Sequence, residues 1–320
     1  MRPLWLAAAL LLVLGTVALL VPFAPLQALA QHDPALLQFI LVELRLPRVL
    51  LALGYGAVLG LTGAALQALF ANPLASPDIT GSSSGAALGA VTGGYWFGIT
   101  GPLPLAAAGA AGAGLALALL LLLAGRRSET STLLLAGLAI SLAAGAATSL
   151  ALALAPSPFA FYDSFDWLMG SLADRSLEQA AVALVPSAAA CAILLRRAGA
   201  LDELGLGEDV AASLGHSPDR LRLEVVAASA VAVGACVSVC GAVGFVGLVA
   251  PVIARRFTGG HPGRALLPAA LLGALLLVSA DLVTRLAPLG RTIPLGVITA
   301  VAGTPLFLWV VLRIRWRLAA

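Results

Sequence analysis

The sequence predicts an all-α polytopic membrane protein with about ten transmembrane helices. Three observations carry that reading. Of 320 residues, 61% are hydrophobic and 10% charged, against about 25% charged in a soluble domain, and the mean hydropathy is +1.04. The apolar residues fall in long runs, near the ~20 residues that one helix needs to cross a bilayer. Their period is helical, which weighs against a β-barrel with its short alternating strands.

The apolar run Leu4 to Val21 follows Arg2 and opens the chain. It ends near Ala28-Leu29-Ala30-Gln31, which looks like a signal-peptidase site. Its length exceeds the usual ~7–15 residues of a signal core, so it reads as a retained span. Arg45-Leu46-Pro47-Arg48 starts the second span, with Pro47 suited to a first helical turn. The span runs through Leu69, and Gly56 and Gly60 are spaced for close helix contact. The segment Asn72 to Asp78 breaks it. Gly81, Gly85, Gly89 and Gly93 then recur every fourth residue, which predicts a helix with one glycine face open to a neighbouring backbone. Pro102 to Ala124 is the fourth span. A polar link follows with Arg126, Arg127 and Glu129-Thr130-Ser131-Thr132, and Leu133 to Ala155 is the fifth span.

Pro156 to Arg175 mixes aromatic and acidic residues, including Tyr162, Asp163, Asp166, Trp167 and Asp174, and suits a helix lying at the membrane interface. Ser176 to Leu195 is the sixth span. The seventh and eighth are Leu223 to Cys240 and Gly241 to Phe257, joined through Gly241, Gly244 and Gly247. Ala265 to Leu286 and Pro294 to Leu312 complete the ten. Asp281 near the end of the ninth is either solvated or paired, with Arg285 at ion-pair spacing.

The stretch Gly207 to Arg222 is too polar for a bilayer core. It reads as two short helices. Glu208 and Asp209 sit in the first turn of one, where negative charge suits the helix dipole. Gly215 stops it, and Ser217 caps a second that begins at Pro218. Such a pair is either a polar connector or a docking knob for a partner.

All 18 basic residues are arginine. A nucleotide-binding Walker loop needs a lysine, so any ATP and magnesium must sit on another subunit. Cys236 and Cys240 are four apart on one helix and read as packing residues ahead of a metal or redox pair. His32, His216 and His261 form no cluster, and no metal site or cofactor is expected on this chain. With a cytoplasmic N-terminus, the inner links carry Arg126, Arg127, Arg196, Arg197, Arg220, Arg222, Arg255, Arg256 and Arg264, with Arg2, Arg313, Arg315 and Arg317 at the ends. The outer side carries only Arg45, Arg48, Arg175, Arg285 and Arg291. The arginine bias therefore places both termini and the 207–222 stretch in the cytoplasm.

Several segments together resemble one family. They are RLPRVLLALGYGAVLGLTGAALQALFANPLASPDITGSSSGAALGA (Arg45 to Ala90), STLLLAG (Ser131 to Gly137), WLMGSL (Trp167 to Leu172), LGEDVAASLG (Leu206 to Gly215), GAVGFVGLVAPVIARR (Gly241 to Arg256) and IPLGVITAVAGTPLFLWVVLR (Ile293 to Arg313). In this order they resemble the iron-chelate/vitamin B12 (FecCD-type) permease family, the membrane subunits of type II ATP-binding cassette importers. The resemblance implies one transmembrane domain over residues 1–320, with a coupling-helix segment at about 207–219. It also implies an inner-membrane location and a partnership with a second permease subunit, two cytoplasmic ATPases and an external substrate-binding protein, with no nucleic acid. Glu208, Asp209, Ala211, Ala212, Leu214 and Gly215 would meet the ATPase. Arg45, Arg48 and Arg285 would meet acidic groups of the binding protein. Asn72, Leu74, Thr130 and Ser131 would form the cytoplasmic gate. Val252 and Thr292 stand where the family usually has His and Glu.

The resemblance points to a metal chelate as cargo, a ferric siderophore first, with haem or cobalamin as alternatives. Lipid headgroups compete as partners for the outer arginines, since arginine snorkels. A carrier driven by an ion gradient is the rival class. Such carriers hold ionisable groups at mid-membrane, and the expected span centres here offer Gln67 and hydroxyls alone. A membrane enzyme would need a catalytic constellation, and none is visible.

Overall fold

A computed structural model of the chain describes residues 2–125, 130–155, 157–286 and 293–319. Among them the regular structure is helical throughout. The helices are α1 (Arg2–Leu20), α2 (Phe23–His32), α3 (Pro34–Phe39), α4 (Leu46–Leu69), α5 (Ser82–Trp96), α6 (Pro102–Ala124), α7 (Thr130–Ala153), α8 (Pro158–Leu168), α9 (Leu177–Arg196), α10 (Ala198–Leu204), α11 (Glu208–Ser213), α12 (Pro218–Cys240), α13 (Val246–Phe257), α14 (Leu266–Leu286) and α15 (Leu295–Ala319). Among the described residues, six stretches are long and apolar enough to cross a membrane: 34–69, 102–124, 131–153, 177–196, 218–240 and 263–286. Leu6–Leu20 and Leu295–Trp309 are shorter apolar helices.

The bundle is built around α4. This helix is apolar on every side, as a helix wrapped by neighbours must be, and Leu51, Tyr55, Leu66 and Gln67 are wholly buried. It packs most heavily on α14, then on α13, α9 and α12. The expected contact at Gly56 and Gly60 is made against Gly273 and Ala269 of α14, whose backbone fills the space that a Cβ would take. Gly63 likewise faces Gly247 of α13. Backbones this close maximise dispersion contact where no hydrophobic effect drives helices together. α9 starts with a capping box formed by Ser176 and Gln179, which satisfies its first amides.

Three expectations need correction. The two helices expected within 207–222 are not a pair on a loop. The first is α11, but the second is the opening turn of α12, which begins at Pro218 rather than Leu223. Ser217 makes no capping bond from its side chain; the polar first turn simply carries the helix past the apolar layer. α10 was not foreseen. Second, Gly81 does not belong to the helical stripe. It precedes α5 with φ of +76°, a left-handed conformation that favours glycine. Gly85, Gly89 and Gly93 do form the stripe, against Ala108 and Gly112 of α6.

Third, residues 71–81 are not a simple link. Gly63 faces Gly247, and Gly247 faces Pro77. Pro77 is therefore level with Gly63, six residues and about 9 Å before the end of α4. The chain folds back alongside α4 and turns through a 3-10 helix at Pro77–Thr80 before α5 begins. This explains why α5 has only 15 residues. The 12-residue α13 also starts part-way along the bundle. It follows Phe245, which has φ of +67° and packs against Gly303. Irregular backbone at such depth survives only where protein or a water-filled cavity surrounds it.

Candidate functional site

The residues singled out from the sequence gather in two places, at opposite ends of the α4–α14 pair. At one end lies α11. Gly207 and Gly215 flank it with φ of +118° and +91°. Of the six expected docking residues, Ala211 is buried, while Glu208, Asp209, Ala212, Leu214 and Gly215 are exposed. Leu206, Val210 and Leu214 are exposed together, at 70%, 39% and 57%. Their spacing of four residues gives an apolar edge on an otherwise polar knob. That spacing was readable from the sequence, and Leu206 and Val210 were missed.

Side-chain ties fasten this knob to the bundle. Glu208 pairs with Arg222 of α12, which also pairs with Asp219 at 2.9 Å. His216 meets Glu203 of α10 at 2.8 Å. Asp202 of α10 accepts the amide of Gly263, just ahead of α14, at 2.7 Å. Arg197 and Glu224 form a further, more exposed pair at 2.6 Å.

At the other end stands the arginine cluster. Asp281 of α14 is 1% exposed. It accepts Arg48 Nε at 2.8 Å on one oxygen and Arg285 Nη2 at 2.5 Å on the other. Asp281 is thus paired rather than solvated, by Arg285 one turn on and by Arg48 from α4. Arg48 also donates to Thr284 Oγ1 at 3.1 Å. Arg285 Nη1 donates to the carbonyl of Ala18 at 2.6 Å. Arg45 donates to the carbonyls of Leu19 and Pro22 at 2.9 and 3.3 Å. Two arginines therefore cap the last carbonyls of α1, a helix with no basic residue in its own last turn. Positive charge is favourable there. The three arginines differ in accessibility. The Arg285 side chain is 7% exposed and that of Arg48 is 24%, and Arg45 is partly exposed.

The expected gate residues lie at the α11 end. Asn72 Oδ1 accepts the Leu74 amide at 2.9 Å, and Leu74 is 40% exposed. Ser131 is exposed at the start of α7; the side chain of Thr130 lies outside the described residues, as do Arg126, Arg127, Glu129, Arg291 and Thr292. The ties between segment 71–81 and α7 fall deeper. Gly137 abuts the carbonyl of Ile79, Gly81 abuts Ile140, and Ser141 Oγ donates to the carbonyl of Asp78 at 3.0 Å. Asp78 itself accepts Ser83 Oγ at 3.1 Å. This ionisable residue therefore lies part-way along the bundle beside α7, exposed rather than buried, at a level where the sequence reading expected none. Sequence alone assigned it to a link because nothing in the local pattern shows that the link folds inward.

Among the described residues no group of three or more His, Cys, Asp or Glu is placed to hold a metal ion. Cys236 and Cys240 are buried and unbridged. Cys236 Sγ lies 3.4 Å from Ser187 Oγ of α9, inside the α9–α12 packing.

The model of the FecCD transport family matches residues 3–313. The chain belongs to the FecCD transport family. Similar FecCD relatives include the vitamin B12 import system permease protein BtuC of Vibrio cholerae, 40% identical over 85% of this chain and 82% of its own length. Another is the Fe(3+) dicitrate transport system permease protein FecD of Escherichia coli, 34% identical over 87% of this chain and 86% of its own. Among solved structures, the chain is similar to a metal-chelate type ABC transporter in an inward-facing conformation. The TM-score is 0.86 at 31% identity, covering 98% of this chain and 99% of that one.

Proposed function

We propose that this FecCD chain is the permease subunit of an ATP-driven importer of a metal chelate, with ferric siderophore as its cargo class. The observation that carries the reading is the α11 knob, with its exposed apolar edge and acidic first turn on a chain without lysine. Such a knob offers a docking surface for an ATPase that this chain cannot replace. The chain performs no covalent chemistry. Two copies form the passage between them, and ATP and magnesium act on two cytoplasmic ATPases docked on α11. A binding protein delivers the chelate at the Arg48 end. The single transmembrane domain lies in the cell's inner membrane, with ten crossings and both termini in the cytoplasm. In this arrangement α5 and α13 are crossings whose helices begin inside the layer. Asn72, Leu74, Thr130 and Ser131 form the inner gate.

Cobalamin is the second reading, favoured by the 40% identity to the Vibrio cholerae vitamin B12 permease. Uptake of labelled ferric siderophore, haem and cobalamin, in cells with and without this chain, separates the cargoes. Uptake that survives inactivation of the ATPase but stops when the ion gradient is collapsed would replace this reading with an ion-driven carrier.

A further inference from the structure

Arg222 occupies the second turn of α12, yet its side chain is only 10% exposed. Nη2 meets Glu208 in the first turn of α11, and Nη1 donates to Asp219, one turn back on α12, at 2.9 Å. A guanidinium between two carboxylates is held by its planar fork, so its orientation is set as well as its charge. Together with Asp219 and Leu223, Arg222 lines a small cavity that is closed by Leu121, Ala124 and Gly125 at the end of α6 and by Leu133 near the start of α7. Leu133 lies two residues beyond Ser131. One side chain thus stands between α11 and the feet of three long helices.

The other side-chain tie of this segment, His216 to Glu203, runs to the short helix α10. Helix α11 has six residues, and Ala211 is the one buried among them. A helix of that length has no stability of its own. The His216–Glu203 pair at its far end is about a third exposed on both sides, and water screens such pairs. Arg222 itself is shielded while its partner Glu208 is 56% exposed, and it joins α11 directly to α12, so a displacement of α11 reaches the long helices through it.

We propose that Arg222 is a positioning residue for ATPase coupling, transmitting the movement of α11 to α12 and to the feet of α6 and α7. The proposal rests on the permease reading above. Sequence reading had placed Arg222 at the end of the 207–222 stretch and among the charges that set orientation, with no partner assigned.

The test uses the whole complex of permease, ATPase and binding protein in proteoliposomes. The cargo is labelled ferric siderophore or cobalamin, whichever supports uptake in cells. ATP hydrolysis and uptake are each measured per bound ATPase. Arg222→Gln is expected to keep the ATPase bound and to hydrolyse ATP at the wild-type basal rate. Uptake per ATP should fall by at least about fivefold, the lower end of ordinary coupling energies. Arg222→Lys keeps the cation and should recover part of that loss. Wild-type uptake per ATP in Arg222→Gln overturns the proposal. So does a loss of bound ATPase that accounts for the fall, which would assign Arg222 to docking. A lysine variant no better than glutamine also overturns it, leaving a packing role. If Arg222→Gln does not assemble, Asp219→Asn carries the test, since that side chain is 48% exposed. It should lower uptake per ATP, and unchanged uptake per ATP overturns the proposal. Absence of ATP-driven uptake by the wild-type complex would instead overturn the permease reading itself.

Discussion

Removing the carboxylate of Asp281 should destabilise the folded chain by about 3 kcal/mol, the lower end of the range for breaking a buried ion pair. The reasoning starts from exposure. Asp281 is 1% exposed and receives two guanidinium groups. In Asp281→Ala, Arg285 keeps the Ala18 carbonyl but loses its counter-charge, and its side chain is 7% exposed. It would hold an uncompensated charge out of water, which is the costly part. Arg48, at 24%, can turn toward water and adds less. The asymmetry supplies the control. Asp281→Ala combined with Arg285→Met removes both partners and should recover most of the loss, because replacing a whole buried pair is often close to neutral. The assay is equilibrium unfolding in mixed micelles at low and high salt, and a shielded pair should respond little to salt. A single variant losing less than about 1 kcal/mol, the ordinary value of a surface pair, would refute the reasoning. A double variant as unstable as the single would refute it too.

Gly89→Leu should fail to accumulate in the membrane, since Gly89 meets the backbone of Ala108 and Gly112 and overpacking costs about 1–3 kcal/mol. Gly114→Leu on α6, which faces open space, should accumulate normally; equal accumulation of the two would mean that the stripe is not a packing face. Arg48→Gln leaves Asp281 paired with Arg285 and should weaken binding-protein affinity at low salt, with a smaller salt dependence than wild type. Equal affinities in wild type and variant would leave lipid headgroups as the partners of that arginine.

Sequence by itself determined the class and most of the helices. Apolar runs near twenty residues can satisfy their backbone in a bilayer only as helices, so α6, α7, α9 and α14 were legible to within a few residues. Glycines spaced by four named the faces of α4 and α5 where helices would meet, because only the lack of a Cβ permits such contact. Asp281 and Arg285 were legible as standing at ion-pair spacing, because residues four apart lie on one helix face, while the choice between a solvated and a paired Asp281 stayed open.

Tertiary structure decided what no spacing encodes. Arg48 and Asp281 are 233 residues apart, and only the antiparallel packing of α4 on α14 brings them together. Arg45 and Arg285 turned out to cap α1, a role set by where a distant helix ends. Asp78 gained its depth from the inward fold of 71–81, which depends on Pro77 seating against Gly247. Arg222 looked like one more interfacial arginine until α11 and the ends of α6 and α7 closed around it. For Asp281 and Arg222 local chemistry named the residue, and its burial came from which helix packed against which.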